Sequence, residues 1–359
     1  MSEYADHPIP LLAKAYDRCV PLFVTIELSL RCNLRCVHCY NFDREQPLEH
    51  DALAQELSPA EIYQVIDAVH AEGALEIAFT GGESLLHPHL DEFIRYARAR
   101  MIGVRIKSNG MALTPERAKR LMEAGVAAVD ISLYGASPAT HDAFTRLPGS
   151  FDKTIAGIEA AVAAGLRVSL SFCLTRHNAP EIAEMLAIAE RHGVTFSLDS
   201  QLTARYDGTT SSLDHRVDAE TLEALYRGPL GHLLDTGRCV PQREMNCSCA
   251  RTVVGISATG EVYPCIGAPM PSGNLREAPF SEIWRGSPVL NRVRGLTLPD
   301  FKDCAGCPDR PFCRRSSGAV YVNTGDYTGA EPWTCMEAAL LHRMYDEAQA
   351  RGESLPSYP

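Results

Sequence analysis

From Leu22 to about Leu202, short β-rich runs alternate with stretches of helical period, and this alternation constrains the fold more than any other feature of the chain. The β-rich runs are Leu22 to Leu28, Leu75 to Phe79, Val104 to Lys107, Ala128 to Leu133, Val168 to Leu174 and Val194 to Leu198. Between them, Pro59 to His70, Leu90 to Ala99, Pro115 to Ala124, Phe151 to Ala164 and Pro180 to His192 carry apolar residues at i, i+3 and i+4. Ser58-Pro59 and Thr114-Pro115 set an N-cap before a proline at the first helical position, and Gly125, Gly165 and Gly193 follow the last helical residues. Strand and helix in this order force parallel pairing through right-handed crossovers. The expected fold is therefore α/β, either an open doubly wound sheet or part of a (β/α) barrel.

After Leu202 the pattern stops. Thr203 to Arg216 is polar and turn-rich, a helical stretch runs from Asp218 to about Thr236, and Cys239 to Cys335 holds most of the thirteen cysteines with little periodic core. A small segment of that kind usually needs metal, because its apolar burial does not offset chain entropy. Grouped cysteines outside a secreted context point to metal or redox chemistry rather than disulfides. Met1 to Pro10 resembles neither a signal nor a transit peptide, and no apolar run is long enough to span a bilayer, so a cytoplasmic protein without a membrane partner is expected. A net charge of −11 argues against a nucleic-acid partner, whose binding depends on clustered Lys and Arg.

At the end of the first run stands Cys32-Asn33-Leu34-Arg35-Cys36-Val37-His38-Cys39-Tyr40, spaced CxxxCxxC. Three thiolates on one short loop can ligate three irons of a [4Fe–4S] cube and leave the fourth iron open for chemistry. The same thiols suit a zinc knuckle with a distant fourth ligand, although zinc motifs pair one CxxC with a second. The spacing, with Tyr40 as the following aromatic, resembles the hallmark of the radical S-adenosylmethionine (SAM) superfamily. The resemblance spans about Leu22 to Leu202 and implies a partial (β/α)6 TIM-like barrel followed by a small cysteine-rich iron–sulfur domain. It also implies a cluster on Cys32, Cys36 and Cys39 whose open iron is chelated by SAM. Reductive cleavage would give a 5′-deoxyadenosyl radical that abstracts hydrogen from an unreactive C–H bond, with a flavodoxin or ferredoxin as the reductant.

The second run ends Thr80-Gly81-Gly82-Glu83, where glycines let the backbone approach a ligand and Glu83 can accept from an ammonium group. It looks like the family's GGE motif for the SAM amino group, with Ser84 in place of the usual proline. By the same resemblance Tyr40, Gly81, Gly82, Ser108, Asn109 and Ser132 belong to the SAM site. His141-Asp142-Ala143-Phe144-Thr145-Arg146 is similar to the segment whose arginine pairs with the SAM carboxylate, with Arg146 one position late. Glu27, Asp199 and Gln201 stand at strand ends facing this site and are candidate substrate ligands or solvated loop residues. Cys19 and Cys173 lie outside the patterns, and Cys173 reads most simply as a buried small apolar residue, less simply as a thiol hydrogen donor.

The remaining cysteines, Cys249, Gly260 to Cys265, Cys304, Cys307, Cys313 and Cys335, resemble the SPASM extension of radical SAM enzymes. The resemblance implies an outer auxiliary cluster on Cys304, Cys307, Cys313 and Cys335. An inner cluster would use Cys249, Cys265 and a further upstream cysteine, Cys247 or Cys239. Where the pattern has another cysteine after Cys313, Ser316 and Ser317 stand, so the inner cluster has an open or serine-ligated iron, uses both upstream cysteines, or is lost. Zinc on a CxxC with two distant cysteines is the alternative for this region. The implied organisation is an N-terminal segment (1–21), barrel (22–202), linker with a helix (203–238), auxiliary-cluster domain (239–347) and tail (348–359).

Relatives of this kind mostly modify ribosomally made peptides by crosslinking, epimerisation or oxidation, and auxiliary clusters suit net oxidations by accepting the substrate's electron. With about twenty residues before the first strand, leader recognition would fall to a separate protein or to the barrel. The alternatives are side-chain modification of a tetrapyrrole or haem precursor, sulfatase-type formylglycine maturation, and a non-enzymatic cluster-binding protein. Ile266 after the GxxxxC cysteine counts against the formylglycine reading, and the GGE motif against the last.

Overall fold

In the computed structural model, which describes residues 10–44, 53–231 and 247–352, the six apolar runs lie side by side in chain order. They are β1 (Phe23–Glu27), β2 (Glu76–Thr80), β3 (Gly103–Ser108), β4 (Ala128–Leu133), β5 (Val168–Cys173) and β6 (Thr195–Asp199). Each pairs in parallel with its predecessor. A doubly wound sheet reverses strand order at a switch point. Here the order runs without reversal from β6 to β1, the sequence of a partial barrel.

Helices α1 (Pro10–Asp17), α2 (Pro59–Ala71), α3 (Leu90–Ala99), α4 (Pro115–Ala124), α5 (Pro138–Thr145), α6 (Ser150–Ala163), α7 (Ile182–Arg191) and α8 (Ala219–Arg227) accompany the strands. The expected caps form. The Ser58 hydroxyl accepts from the Glu61 N–H in a capping box, Thr114 accepts from the Arg117 N–H, and Gly125 ends α4 at φ +89°, where a Cβ is disfavoured. The core lies between the sheet's convex face and the helices, with Ile77, Phe79, Val104, Ile106, Val129 and Ile131 buried against Ile62, Ile66, Phe93 and Ile94. Strand period two sends the alternate residues, such as Ser171 and Cys173, to the concave side.

One sequence expectation is corrected, and one helix stands where the sequence reading placed none. The segment His141 to Thr145 is helical, as the second half of α5, capped by Ser137. The stretch from Asp218 forms α8 only to Arg227, with Asp218 as its N-cap, and residues beyond 231 lie outside the described ones. The small cysteine-rich part follows the barrel as expected and continues its sheet: β7 (Val253–Ile256) pairs in parallel with β1, and β8 (Val262–Tyr263) pairs antiparallel with β7. Helices α9 (Phe280–Gly286), α10 (Pro288–Gly295), α11 (Ser317–Thr324) and α12 (Pro332–Ala350) complete this part. Trp284 of α9 is fully buried and its indole N–H donates to the Cys19 carbonyl at 2.7 Å, tying α9 to the turn before β1. Among the described residues no helix is long and apolar enough to cross a membrane.

Candidate active site and metal centres

At the C-terminal ends of the strands a cavity of about 560 Å³ is lined by Cys32, Cys36 and Cys39 together with Glu83, Ser108, Asn109 and Ser132. The cysteine loop is held largely through its backbone. The Arg35 and Val37 N–H groups donate to the Thr145 and Phe144 carbonyls, both at 3.1 Å, at the end of α5. Arg205 donates to the Val37 carbonyl at 2.8 Å. Arg44 donates to the Leu30 carbonyl at 2.6 Å and to Cys39 Sγ at 3.2 Å. Burial, with the neighbouring Cys32 and Cys39 adding to it, pushes the Cys36 thiol well up.

This arrangement corrects the reading of Arg146. The residue ends α5 in the left-handed region at φ +57°, is exposed, and does not line the cavity. The segment that was expected to bind the SAM carboxylate instead seats the cysteine loop through its carbonyls.

The glycines of the second strand end line the cavity and also let two stretches of backbone approach each other. A Cβ on Gly81 would stand 2.4 Å from the Ser29 carbonyl oxygen, and one on Gly82 2.0 Å from that of Arg31. The close approach is to the chain leaving β1, and it permits Gly82 N–H to donate to Ser29 (2.6 Å) and Glu83 N–H to Arg31 (2.8 Å). Glu83 is thereby buried beside the cysteines. Its carboxylate accepts from the Leu85 N–H (2.9 Å), the Ser108 hydroxyl (2.7 Å) and the Asn109 N–H (2.7 Å). Burial pushes this carboxyl up, and those three bonds pull against it. A carboxylate has about four acceptor places, so one remains for a further donor. The Asn109 side chain donates to Asn33 Oδ1 at 2.8 Å, joining the third strand end to the cysteine loop.

These residues fit a trithiolate cluster with SAM. The donor set is three thiols on one cavity wall, and His38 Nδ1, also in that wall, is buried without a hydrogen-bond partner. Among the described residues no three His, Cys, Asp or Glu side chains converge as ligands of one ion. Thiolates of a cube stand at its corners rather than around a point.

Several cavity residues went unnoticed in the sequence. Lys107 and Arg105 pair with Asp130 at 3.5 and 2.7 Å. Tyr134 stacks on Phe144 with centroids 4.5 Å apart, and His38 packs on both. Tyr206 takes its place from a bond of its N–H to the Tyr40 carbonyl (2.8 Å) and of its hydroxyl to the Ile266 carbonyl. The Tyr40 hydroxyl donates to buried Glu27 at 2.8 Å, so Glu27 supports the wall rather than lining it. Asp199 and Gln201 do line it, as does Cys173, which β5 turns to the cavity instead of the core. Period two along β4 would have found Asp130 beside Ser132; nothing local marks Tyr206.

In the C-terminal part, burial and the neighbouring thiols Cys304 and Cys335 push Cys313 up to about 11, and Cys335 feels Cys304 and Cys307 in turn. Cys247 and Cys249 have Sγ atoms 3.0 Å apart, the Ala250 N–H donates to the Pro264 carbonyl at 2.8 Å and so brings Cys265 beside Cys249, and the Tyr327 hydroxyl lies 3.8 Å from Cys247 Sγ. Cys239 lies outside the described residues. Ser316 and Ser317 are spent locally: Ser316 caps α11 by accepting from the Ala319 N–H, and Ser317 accepts from Arg315.

The family model of the radical SAM superfamily matches residues 26–189, and that of an iron–sulfur cluster-binding domain, SPASM, matches 247–308. The chain is 28% identical to an AdoMet-dependent heme synthase of Methanosarcina barkeri over 358 residues, covering 87% of this chain and 96% of that protein. It is 29% identical to the mycofactocin maturase MftC of Mycobacterium tuberculosis over 338 residues, covering 89% and 84%. Its fold is similar to Streptococcus suis SuiB bound to S-adenosylmethionine (TM-score 0.66, 16% identity, 90% and 80% covered). It is also similar to anSMEcpe with bound AdoMet (TM-score 0.68, 16% identity, 92% and 98% covered).

Proposed function

Because the chain belongs to the radical SAM superfamily and carries a C-terminal SPASM domain, we propose that it modifies a ribosomally made peptide at an unreactive C–H bond. Its cofactors are SAM and [4Fe–4S] clusters, one catalytic and the rest auxiliary. Cys32, Cys36 and Cys39 hold the catalytic cluster, which with SAM supplies a one-electron cleavage and a hydrogen-abstracting carbon radical. Glu83 uses its remaining acceptor place for the SAM ammonium, and Ser108 and Asn109, which line the same cavity, fix that carboxylate. Ser132 and Tyr40 line the rest of the cofactor's wall. Asp199, Gln201 and Cys173, on the last two strand ends, face the substrate.

The observation that carries the peptide reading is the charge of the cavity. Its described wall bears two cations, both engaged, Lys107 by Asp130 and Arg44 by Cys39 and Leu30, and the acid left over once Glu83 takes the SAM ammonium and Asp130 its cations is Asp199. A tetrapyrrole with several propionates needs free cations, whereas a neutral or basic peptide segment meets acceptors. The second reading, modification of a haem precursor, is favoured by the 96% of the heme synthase that the match covers.

The test is anaerobic reconstitution with iron and sulfide, expected to give about eight or twelve irons per chain. Under dithionite the protein should release 5′-deoxyadenosine, and the triple variant Cys32→Ala, Cys36→Ala, Cys39→Ala should lose this while keeping auxiliary-cluster absorption. Retained SAM cleavage in that variant would refute the site. A short peptide encoded beside the gene should change mass in the assay; loss of carbon dioxide from a propionate-bearing tetrapyrrole, with the peptide untouched, would select the second reading.

A further inference from the structure

We propose that the phenol oxygen of Tyr327 is the fourth ligand of the inner auxiliary cluster, completing a set of three thiolates from Cys247, Cys249 and Cys265. The inference rests on the family's cluster chemistry and not on the choice of substrate.

The three thiols come together from β7's approach and the turn after β8, and no fourth cysteine joins them among the described residues. Into this place points Tyr327, 6% exposed, whose hydroxyl lies 3.8 Å from Cys247 Sγ and within the electrostatic reach of Cys249 and Cys265. The side chain is not there by drift. Asp326 accepts from both the N–H and the hydroxyl of Thr328 at 2.8 Å, fixing the turn that carries Tyr327. Arg315 donates to the Tyr327 and Gly329 carbonyls, so the turn is tied to the segment where the family pattern has its missing cysteine. That segment reaches the cluster region directly: a Cβ on Gly318 would stand 2.4 Å from the Gly267 carbonyl oxygen, two residues from Cys265.

A serine in that segment is a poor substitute ligand, and Ser316 and Ser317 are already committed to backbone and arginine. A tyrosine oxygen, by contrast, is an attested iron ligand in haem proteins. Binding is a ligand exchange without redox change: the O–H bond breaks, an Fe–O bond forms, and the proton leaves with the displaced solvent molecule.

The experiment uses the full chain, reconstituted anaerobically in the Cys32→Ala, Cys36→Ala, Cys39→Ala background so that only auxiliary clusters contribute. Resonance Raman should show iron–phenolate modes that move when tyrosine is ring-deuterated and vanish in Tyr327→Phe. Mild oxidation should give a severalfold larger three-iron EPR signal in Tyr327→Phe than in its parent, at unchanged initial iron. Tyr327→Cys should suppress that signal again, and Ser316→Ala with Ser317→Ala should change nothing. Should Tyr327→Phe lose iron at assembly while Tyr327→Cys keeps it, ligation is equally supported. Identical spectra and oxidation behaviour in Tyr327→Phe, iron loss in both tyrosine variants, or iron loss in the serine variant would each overturn the assignment.

Discussion

Replacing Gly82 by alanine adds one methyl group at the point where β2 passes the chain leaving β1. The new Cβ would meet the Arg31 carbonyl oxygen at 2.0 Å and the Leu30 carbonyl carbon at 2.8 Å. Both are backbone, so no flexible side chain can give way. Overpacking of this kind costs about 1–3 kcal/mol. Parting the strands also endangers the bonds Gly82 N–H to Ser29 and Glu83 N–H to Arg31, each worth roughly 0.5–1.5 kcal/mol net. The expected loss is about 2–6 kcal/mol, a large share of a normal domain's stability. Gly193→Ala is the matched control, since Gly193 has φ +62° with nothing within 4 Å of a Cβ; only the conformational cost of about 1–2 kcal/mol applies. Denaturant melts at constant m-value measure both. Because the strained backbone leads straight into Cys32 and Glu83, Gly82→Ala should also lower iron at the catalytic loop. A midpoint shift no larger than that of Gly193→Ala, with iron intact, would refute the close-approach argument.

Two pH effects can be checked beside it. Burial lowers the His141 imidazole to about 4, while its Nδ1 accepts from the Tyr134 N–H at 3.2 Å. The unfolded chain then takes up this proton first as pH falls below 6.5, so stability drops between 6.5 and 4 by up to about 1.4 kcal/mol per pH unit. Melts at pH 7 and 5 should show a loss of about 2 kcal/mol that His141→Gln largely removes; an equal loss in the variant would contradict the buried neutral histidine. The bonds from Arg276, followed by that from the Ser58 N–H, hold Glu61 down at about 2. Its contribution is present above the ordinary carboxylate value and is lost as pH falls through about 2. NMR titration of Arg276→Ala should move Glu61 back up, and an unmoved curve would deny the link between α2 and the C-terminal part.

Much of the barrel was readable because its determinants are local. Ser58-Pro59, Thr114-Pro115 and Gly125 signal helix ends within four residues, and the β-rich runs carry their own period. The failures share a cause in distance along the chain. The four-residue β7 exists because β1 offers it an edge, and Val253 to Ile256 alone gives no such sign. Tyr327 meets Cys247 across eighty residues, so only folding reveals the pair. Arg146 differs through geometry: it caps α5 in a left-handed turn at φ +57°, is exposed and does not line the cavity. Cys173 was open to a better reading, because Leu170 and Phe172 face the core and strict alternation already sends residue 173 to the other side.

The pairing of β7 with β1 bears on how this chain can be divided. A barrel ended before residue 247 would leave the Phe23–Glu27 edge bare, a row of unmet donors and acceptors of the kind that recruits other chains into aggregates. The C-terminal part, taken alone, would carry a two-strand hairpin too small to persist in water. The halves are thus poor candidates for exchange between relatives as ready-made blocks, and a chimera should place its junction so that β1, β7 and β8 come from one parent.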